Sequence, residues 1–247
     1  MEKRPHALLL KYPGTNCDAE TARALEATGF ATTILPVSQL DRDHLEGVSL
    51  VVFSGGFSYG DYIMSGRVAR LITEQRIASA LEQFRDRGGY LLGICNGFQI
   101  LTQMGLLPAG SLVHNTSGRF LCRWAGLDKR SDAAPLSFLP DHFELPVAHA
   151  EGRFVTADPA DAERYLAEGL APLTYTDDIN GSFAGIAGLQ DKTGRVFGLM
   201  PHPERFLHRA DHYDPDWDGD AQWGWGYHFF RSLHAAVSAS SPVPCPA

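Results

Sequence analysis

Apolar residues in the first hundred positions come in short unbroken runs, separated by longer stretches in which they recur three or four apart. That alternation is expected of a parallel sheet with crossover helices. ALLLK (7–11) predicts the first strand. The stretch from Asp18 to Thr28, entered through Pro13-Gly14-Thr15-Asn16 and closed by Gly29, predicts a helix with an Asx start and a glycine stop. A second strand falls near 32–37 and a third over 50–54 (LVVFS). After a glycine-rich loop, Gly55 to Gly66, a helix over Arg67 to Arg87 lines up Val68, Leu71, Ile72, Ile77, Leu81 and Phe84 near one face. YLLGI (90–94) reads as a buried strand running directly into a helix that carries Phe98, Leu101 and Met104.

The second half is more broken. Strand-like runs fall at 119–124, 143–148, 172–176, 183–189 and 195–200, and a last amphipathic helix near 226–238. Segments 128–142 and 209–225 read as long surface excursions. No repeat or linker divides the chain, so residues 1–238 are expected to form one α/β domain, a mostly parallel twisted sheet with helices on both faces and a flavodoxin-like core. The remaining 239–247 (ASSPVPCPA) are expected to be a disordered tail.

Composition narrows the function. The chain has 247 residues, 44% of them hydrophobic, long enough for a core that needs no staples. Its 21 Lys+Arg against 29 Asp+Glu argue against a nucleic-acid partner. The four cysteines, Cys17, Cys95, Cys122 and Cys245, lack CxxC spacing, which suggests a reducing compartment, and no zinc-site spacing is present. The apolar run from Ala7 to Leu10 is far shorter than a signal peptide or membrane span, so a cytoplasmic protein with no membrane partner is expected.

The chemistry concentrates where strand meets helix. Gly93-Ile94-Cys95-Asn96-Gly97 has the G-x-nucleophile-x-G form of a nucleophile elbow, with Cys in the nucleophile's place. The helix N-terminus favours the thiolate there. A thiol nucleophile needs a base, and the base needs an orienting group. Of three His-x-Glu pairs, His142/Glu144, His149/Glu151 and His202/Glu204, only the last follows a central strand (195–200) at its carboxyl end, where α/β sheets place their ligands. Alternation in an extended segment would set Glu204 on the face of His202. The loop Gly55-Gly56-Phe57-Ser58-Tyr59-Gly60-Asp61 can bring backbone N–H groups to a ligand, as an oxyanion hole requires. Neither GxGxxG nor GxxxxGK[ST] occurs, so no nucleotide loop is present. Asp214 to Asp220 begins like a calcium loop, but its twelfth position is Trp225, and no metal is expected.

These residues resemble the class I, triad-type glutamine amidotransferases, and within them the glutaminase components of phosphoribosylformylglycinamidine synthases. The matching stretches are PGTNCDAET (13–21), SGGFSYGDYIMSGRVA (54–69), GICNGFQILTQMGLLP (93–108), HNTSGRF (114–120), PVAHAEGRF (146–154), INGSFAGIAGL (179–189) and GLMPHPER (198–205). The resemblance implies a Cys95–His202–Glu204 triad that hydrolyses glutamine through a thioester, with an oxyanion hole from the N–H groups of Gly56 and Asn96. Gln99, Asn115 and Phe57 would belong to the glutamine pocket. It further implies no cofactor in this chain, ATP and magnesium on a synthetase partner that receives the ammonia for purine biosynthesis, and in some lineages a small accessory subunit. HNTSGRF, HAEGR and 209–225 are the candidate contacts. The related stand-alone thiol hydrolases and proteases usually carry His directly after the nucleophile, where this chain has Asn96. A binding subunit without activity would be expected to lack one of the triad residues.

Overall fold

The computed structural model describes residues 4–61 and 66–240. Chain order begins β1 (His6–Lys11), α1 (Asp18–Ala27), β2 (Ala31–Pro36), β3 (Leu50–Phe53), α2 (Arg67–Asp86), β4 (Tyr90–Ile94) and α3 (Asn96–Gln103), close to the predicted bounds throughout. The second half runs β5 (Ser111–Val113), β6 (Leu121–Lys129), β7 (His142–His149), β8 (Arg153–Val155), α4 (Pro159–Ala167), β9 (Leu173–Tyr175), β10 (Ile186–Gln190), β11 (Val196–Leu199) and α5 (Trp225–Ala239).

Nine strands form one sheet in the order β2-β1-β3-β4-β11-β10-β9-β6-β7. The half from β2 to β11 is parallel, as expected. From β11 onward every pairing is antiparallel, so the sheet is mixed. Strands β3, β4 and β11 are buried along their whole length, because helices cover both faces of the parallel half. Helix α1 packs with α5 and α2 with α3.

Two expectations need correction. Asp128 and Lys129 belong to β6, and Pro135, Leu136 and Leu139 are buried, so 128–142 is anchored and not a surface excursion. Segment 209–225 is mostly exposed, as expected, and is anchored by His212, which is buried with its ring 5.3 Å from those of Phe206 and Trp217. Residues 183–185 form a 3₁₀ turn with Ala184 at φ 51°, and the strand starts only at Ile186. Helix α4 and the β5–β8 pair were not predicted, although α4 has clear signals: Asp158 accepts from the Ala160 N–H at 2.9 Å, and Pro159 opens the first turn. Ala239 closes α5; residues 241–247 of the expected tail, Cys245 among them, and residues 62–65 of the glycine-rich loop lie outside the described residues.

The turn from β4 into α3 needs its two glycines for space. A Cβ at Gly93 would lie 2.6 Å from the Gly97 carbonyl oxygen, and one at Gly97 would run into the Phe53 carbonyl of the neighbouring strand. Gly97→Ala should therefore lower unfolding stability by about 3 kcal/mol or more in urea titration, since backbone and not a side chain stands in the way.

Candidate active site

Four strand ends meet at one edge of the parallel half. Parallel pairing sets Ile94 opposite Leu199, and the Cys95 N–H donates to the Leu199 carbonyl at 2.8 Å. Cys95 then leaves the strand at φ 51°, ψ −104°, a strained conformation for a non-glycine residue, which ends β4 and starts α3 at Asn96. On the adjacent strand the chain continues through Pro201 to His202, whose N–H donates to the Pro146 carbonyl at 2.8 Å. Residues 203–205 then turn as a 3₁₀ helix with Pro203 in its first turn. This turn, and not the extended alternation read from the sequence, brings Glu204 under the ring: His202 Nδ1 and Glu204 Oε1 are 2.6 Å apart, with both side chains buried.

The far side of the imidazole faces sulfur. His202 Nε2 is buried and faces the thiols of Cys95 and Cys17 without meeting either in a well-directed hydrogen bond. Burial opposes a charge on His202, but Glu204 and the two thiols outweigh it and hold its pKa well above the usual value. The convergence can be read at Gly55: a Cβ there would lie 2.9 Å from His202 Cε1, 3.3 Å from Cys17 Sγ and 3.5 Å from Cys95 Cβ. Only glycine leaves these three side chains free to share that space.

Gly56, at φ 135°, follows; a Cβ on it would strike the Asn16 nitrogen at 2.7 Å. The loop is pinned to the β1–α1 turn by bonds from the Phe57 N–H to Gly14 O (3.1 Å) and from the Cys17 N–H to Gly55 O (3.3 Å). These bonds leave the Gly56 N–H outside the pairing and commit that of Phe57. The Phe57 ring is 48% exposed and stacks on the equally exposed Phe120. Asn96, the first residue of α3, gives its side-chain amide to Gln99 Oε1 at 2.9 Å.

The amides expected in the glutamine pocket are committed within the protein. Gln99 Nε2 donates to the Glu151 carbonyl at 2.6 Å. Asn115 donates to the carbonyls of Arg119 and His149 and accepts from His149 Nδ1 and the Gly152 N–H, which uses its full capacity. Asn115 therefore clamps HNTSGRF against HAEGR, and the carbonyl of Ala148, the residue just before HAEGR, accepts from Cys95 Sγ at 3.7 Å. The other His-x-Glu pairs separate: His142 faces solvent beside Asp128, and Glu144 bonds to His212 at 2.9 Å.

Three further side chains belong to the site: Cys17, Tyr175 and His149. Cys17 sits at the strand-to-helix turn after β1, the same pattern that marks Cys95. Its thiol donates to Asn16 Oδ1 (3.4 Å) and accepts from Arg205 Nη2 (3.3 Å); Arg205 also binds Glu20. Burial pushes its pKa up, against His202. Tyr175 carries a buried hydroxyl, raised in pKa first by burial and then by the nearby Cys95. His149 is buried with Nε2 unpartnered among the described residues.

The chain matches the CobB/CobQ-like glutamine amidotransferase domain over residues 4–235, and belongs to that family. Among its relatives are subunits named phosphoribosylformylglycinamidine synthase subunit PurQ. That of Thermotoga maritima is 40% identical over 82% of this chain and 88% of its own, and that of Cereibacter sphaeroides 42% identical over 83% and 90%. A solved chain described as the structure of PurLQS from Thermotoga maritima superposes with a TM-score of 0.77 at 36% identity, covering 94% of this chain and 98% of that one. No helix of the described residues is long and apolar enough to cross a membrane.

Burial, followed by the charge of His202, lowers the His149 pKa from 6.5 to about 4. Between those values the unfolded chain binds the extra proton, so this residue's contribution to stability is complete above about pH 6.5 and is lost as the pH falls to 4. Unfolding free energy measured across that window should fall by up to about 1.4 kcal/mol per pH unit from this group, less in His149→Gln.

Proposed function

We propose that this chain is the glutaminase subunit of a phosphoribosylformylglycinamidine synthase, hydrolysing glutamine and passing the ammonia to a synthetase subunit for purine biosynthesis. The observation that supports it most directly is the buried His202–Glu204 pair, its free imidazole edge facing Cys95 at the head of α3, in a chain of this family.

Cys95 gives its thiol proton to His202 as its sulfur attacks the glutamine carboxamide carbon, and the carbonyl electrons move to an oxyanion. The N–H groups of Gly56 and Asn96 are assigned to receive that charge; each such donor is commonly worth about 3–4 kcal/mol to the transition state. His202 gives a proton to the amide nitrogen, the C–N bond breaks, and ammonia leaves a glutamyl thioester. His202 then takes a proton from water, hydroxide attacks the thioester carbon, and the sulfur departs with glutamate free. Glu204 holds the imidazole in one tautomer and stabilises its charge during both transfers. Gln99 and Phe57 are assigned to the pocket wall, and Asn115 to holding the HAEGR turn between β7 and β8 beside the sulfur.

Ammonia must reach the acceptor without escaping, so the assembly is part of the function. The PurQ relatives are subunits, and the solved neighbour is a PurLQS structure. A synthetase subunit, with a small accessory subunit, is the partner assigned here, and ATP and magnesium would act on the synthetase. The exposed Phe57–Phe120 stack, between the oxyanion loop and HNTSGRF, supplies apolar surface at the mouth of the site for that contact. A cytoplasmic location is part of the same proposal.

In the complex reconstituted with the synthetase, Cys95→Ala should lower glutamine-dependent amidine synthesis about 10⁴-fold or more and spare the ammonia-dependent reaction. Equal loss of both would reassign Cys95 to structure. Glu204→Gln should lower the glutaminase kcat by about 10²-fold or more with little change in KM, because it disturbs proton transfer and not binding.

A further inference from the structure

We infer that Cys17, Cys95 and His202 form a binding site for a thiophilic divalent cation, zinc above all, which would hold the glutaminase centre shut until the metal is removed. No linear spacing announces it, since the ligands come from three separate strand ends: the turn after β1, the end of β4 and the segment after β11. The inference deepens the glutaminase reading by adding regulation of the same centre.

The donor set suits zinc, which takes thiolate at about 2.3 Å and imidazole nitrogen at about 2.0–2.1 Å in a tetrahedron. Cys17 Sγ, a His202 nitrogen and a Glu204 oxygen all lie within 4.8 Å of one another. Cys95 stands beside this group, its Cβ lying with His202 Cε1 and Cys17 Sγ within 3.5 Å of one point next to Gly55; its sulfur, which rests against the Ala148 carbonyl at 3.7 Å, would turn about the Cα–Cβ bond to complete the donor set. Two further observations point to a ligand. His202 Nε2 is buried and aimed at both sulfurs with no well-directed partner. On the opposite edge, Nδ1 is held by a buried carboxylate at 2.6 Å, the outer-shell arrangement that orients metal-binding histidines. Glu204 thus supports the ligand and is not one itself. Arg205, 3.3 Å from Cys17 Sγ, adds a positive partner for that sulfur as a thiolate.

Bound there, zinc would displace the two thiol protons to solvent and occupy the electron pairs of the nucleophile and the base together, leaving a fourth position for water. The thioester could not form. Cys17 therefore turns a two-residue contact, too poor in donors to hold zinc, into a three-donor site.

The test is anaerobic titration of the reduced, metal-free full-length chain with Co²⁺. One equivalent should produce a thiolate-to-cobalt charge-transfer band and the intense visible bands of a tetrahedral ion, both bleached by one equivalent of Zn²⁺. Cys17→Ser and Cys95→Ser should each lose about half the charge-transfer intensity and bind Zn²⁺ tenfold or more weakly in chelator competition. Absence of the band in the wild-type chain, or its full retention in both variants, would overturn the site. The spectrum does not depend on turnover. A chain that binds cobalt in this way but releases no ammonia in the complex would sink the glutaminase reading and leave the metal site standing.

Discussion

The parallel pairing of β4 with β11 is the constraint from which the rest follows. Ile94 lies opposite Leu199, and the Cys95 N–H is spent on the Leu199 carbonyl, so sulfur and imidazole emerge from adjacent strands a few residues beyond the same rung. A slip of one residue would turn the sulfur to the other face of the sheet and part it from His202. The register is secured by burial: Leu91, Leu92, Val196 and Leu199 are at most 1% exposed, and such side chains contribute about 1.5–3 kcal/mol each.

That packing is large enough to hold a strained nucleophile. The conformation of Cys95 costs of the order of 1–3 kcal/mol. Helix α3, which begins at the next residue, buries Phe98, Ile100 and Leu101 completely against the sheet. The contacts of one or two of those side chains offset the strain, and the helix cannot dock unless the turn is as tight as the strained residue makes it. Glycine at 93 and 97 is the complement of the same requirement, since the backbone of β3 lies where a side chain would be.

How much of this was legible depended on whether the signal was local. Strand, glycine, cysteine, glycine and helix are neighbours in the chain, so the elbow at Cys95 could be read directly, as could the parallel half of the sheet. The order of the antiparallel half could not, because β6 pairs with β9 across residues 130–172, a connection whose course no periodicity records, although β9, β10 and β11 follow one another closely in the chain. The α4 segment went unread because it buries only Ala162 and Tyr165, too narrow a stripe to stand out, although Asp158 and Pro159 marked its start. Glu204 lies under His202 through a 3₁₀ turn opened by Pro203, where the sequence pattern predicts an extended segment; proline fits both, so the pattern cannot distinguish them. Tyr175 carries no local signal because its relation to Cys95 exists only across the sheet; Cys17 shares the strand-to-helix position of Cys95, but nothing near it in the chain ties it to His202.

A buried imidazole–carboxylate pair is a poor device for stability, since removing both charges from water costs about as much as their attraction returns. Its value here is directional. With Nδ1 held by Glu204, the second nitrogen has one place to act, and that place contains sulfur from two different turns. A base serving one thiol would need only Cys95; the second thiol adds nothing to proton transfer in the hydrolysis derived above. It does change which ligands the centre can accept, because a soft third donor on the nucleophile and base converts a proton-transfer pair into a chelate. The geometry that prepares His202 for catalysis therefore also prepares it for a metal, and Cys17 decides which of the two chemistries the centre is open to.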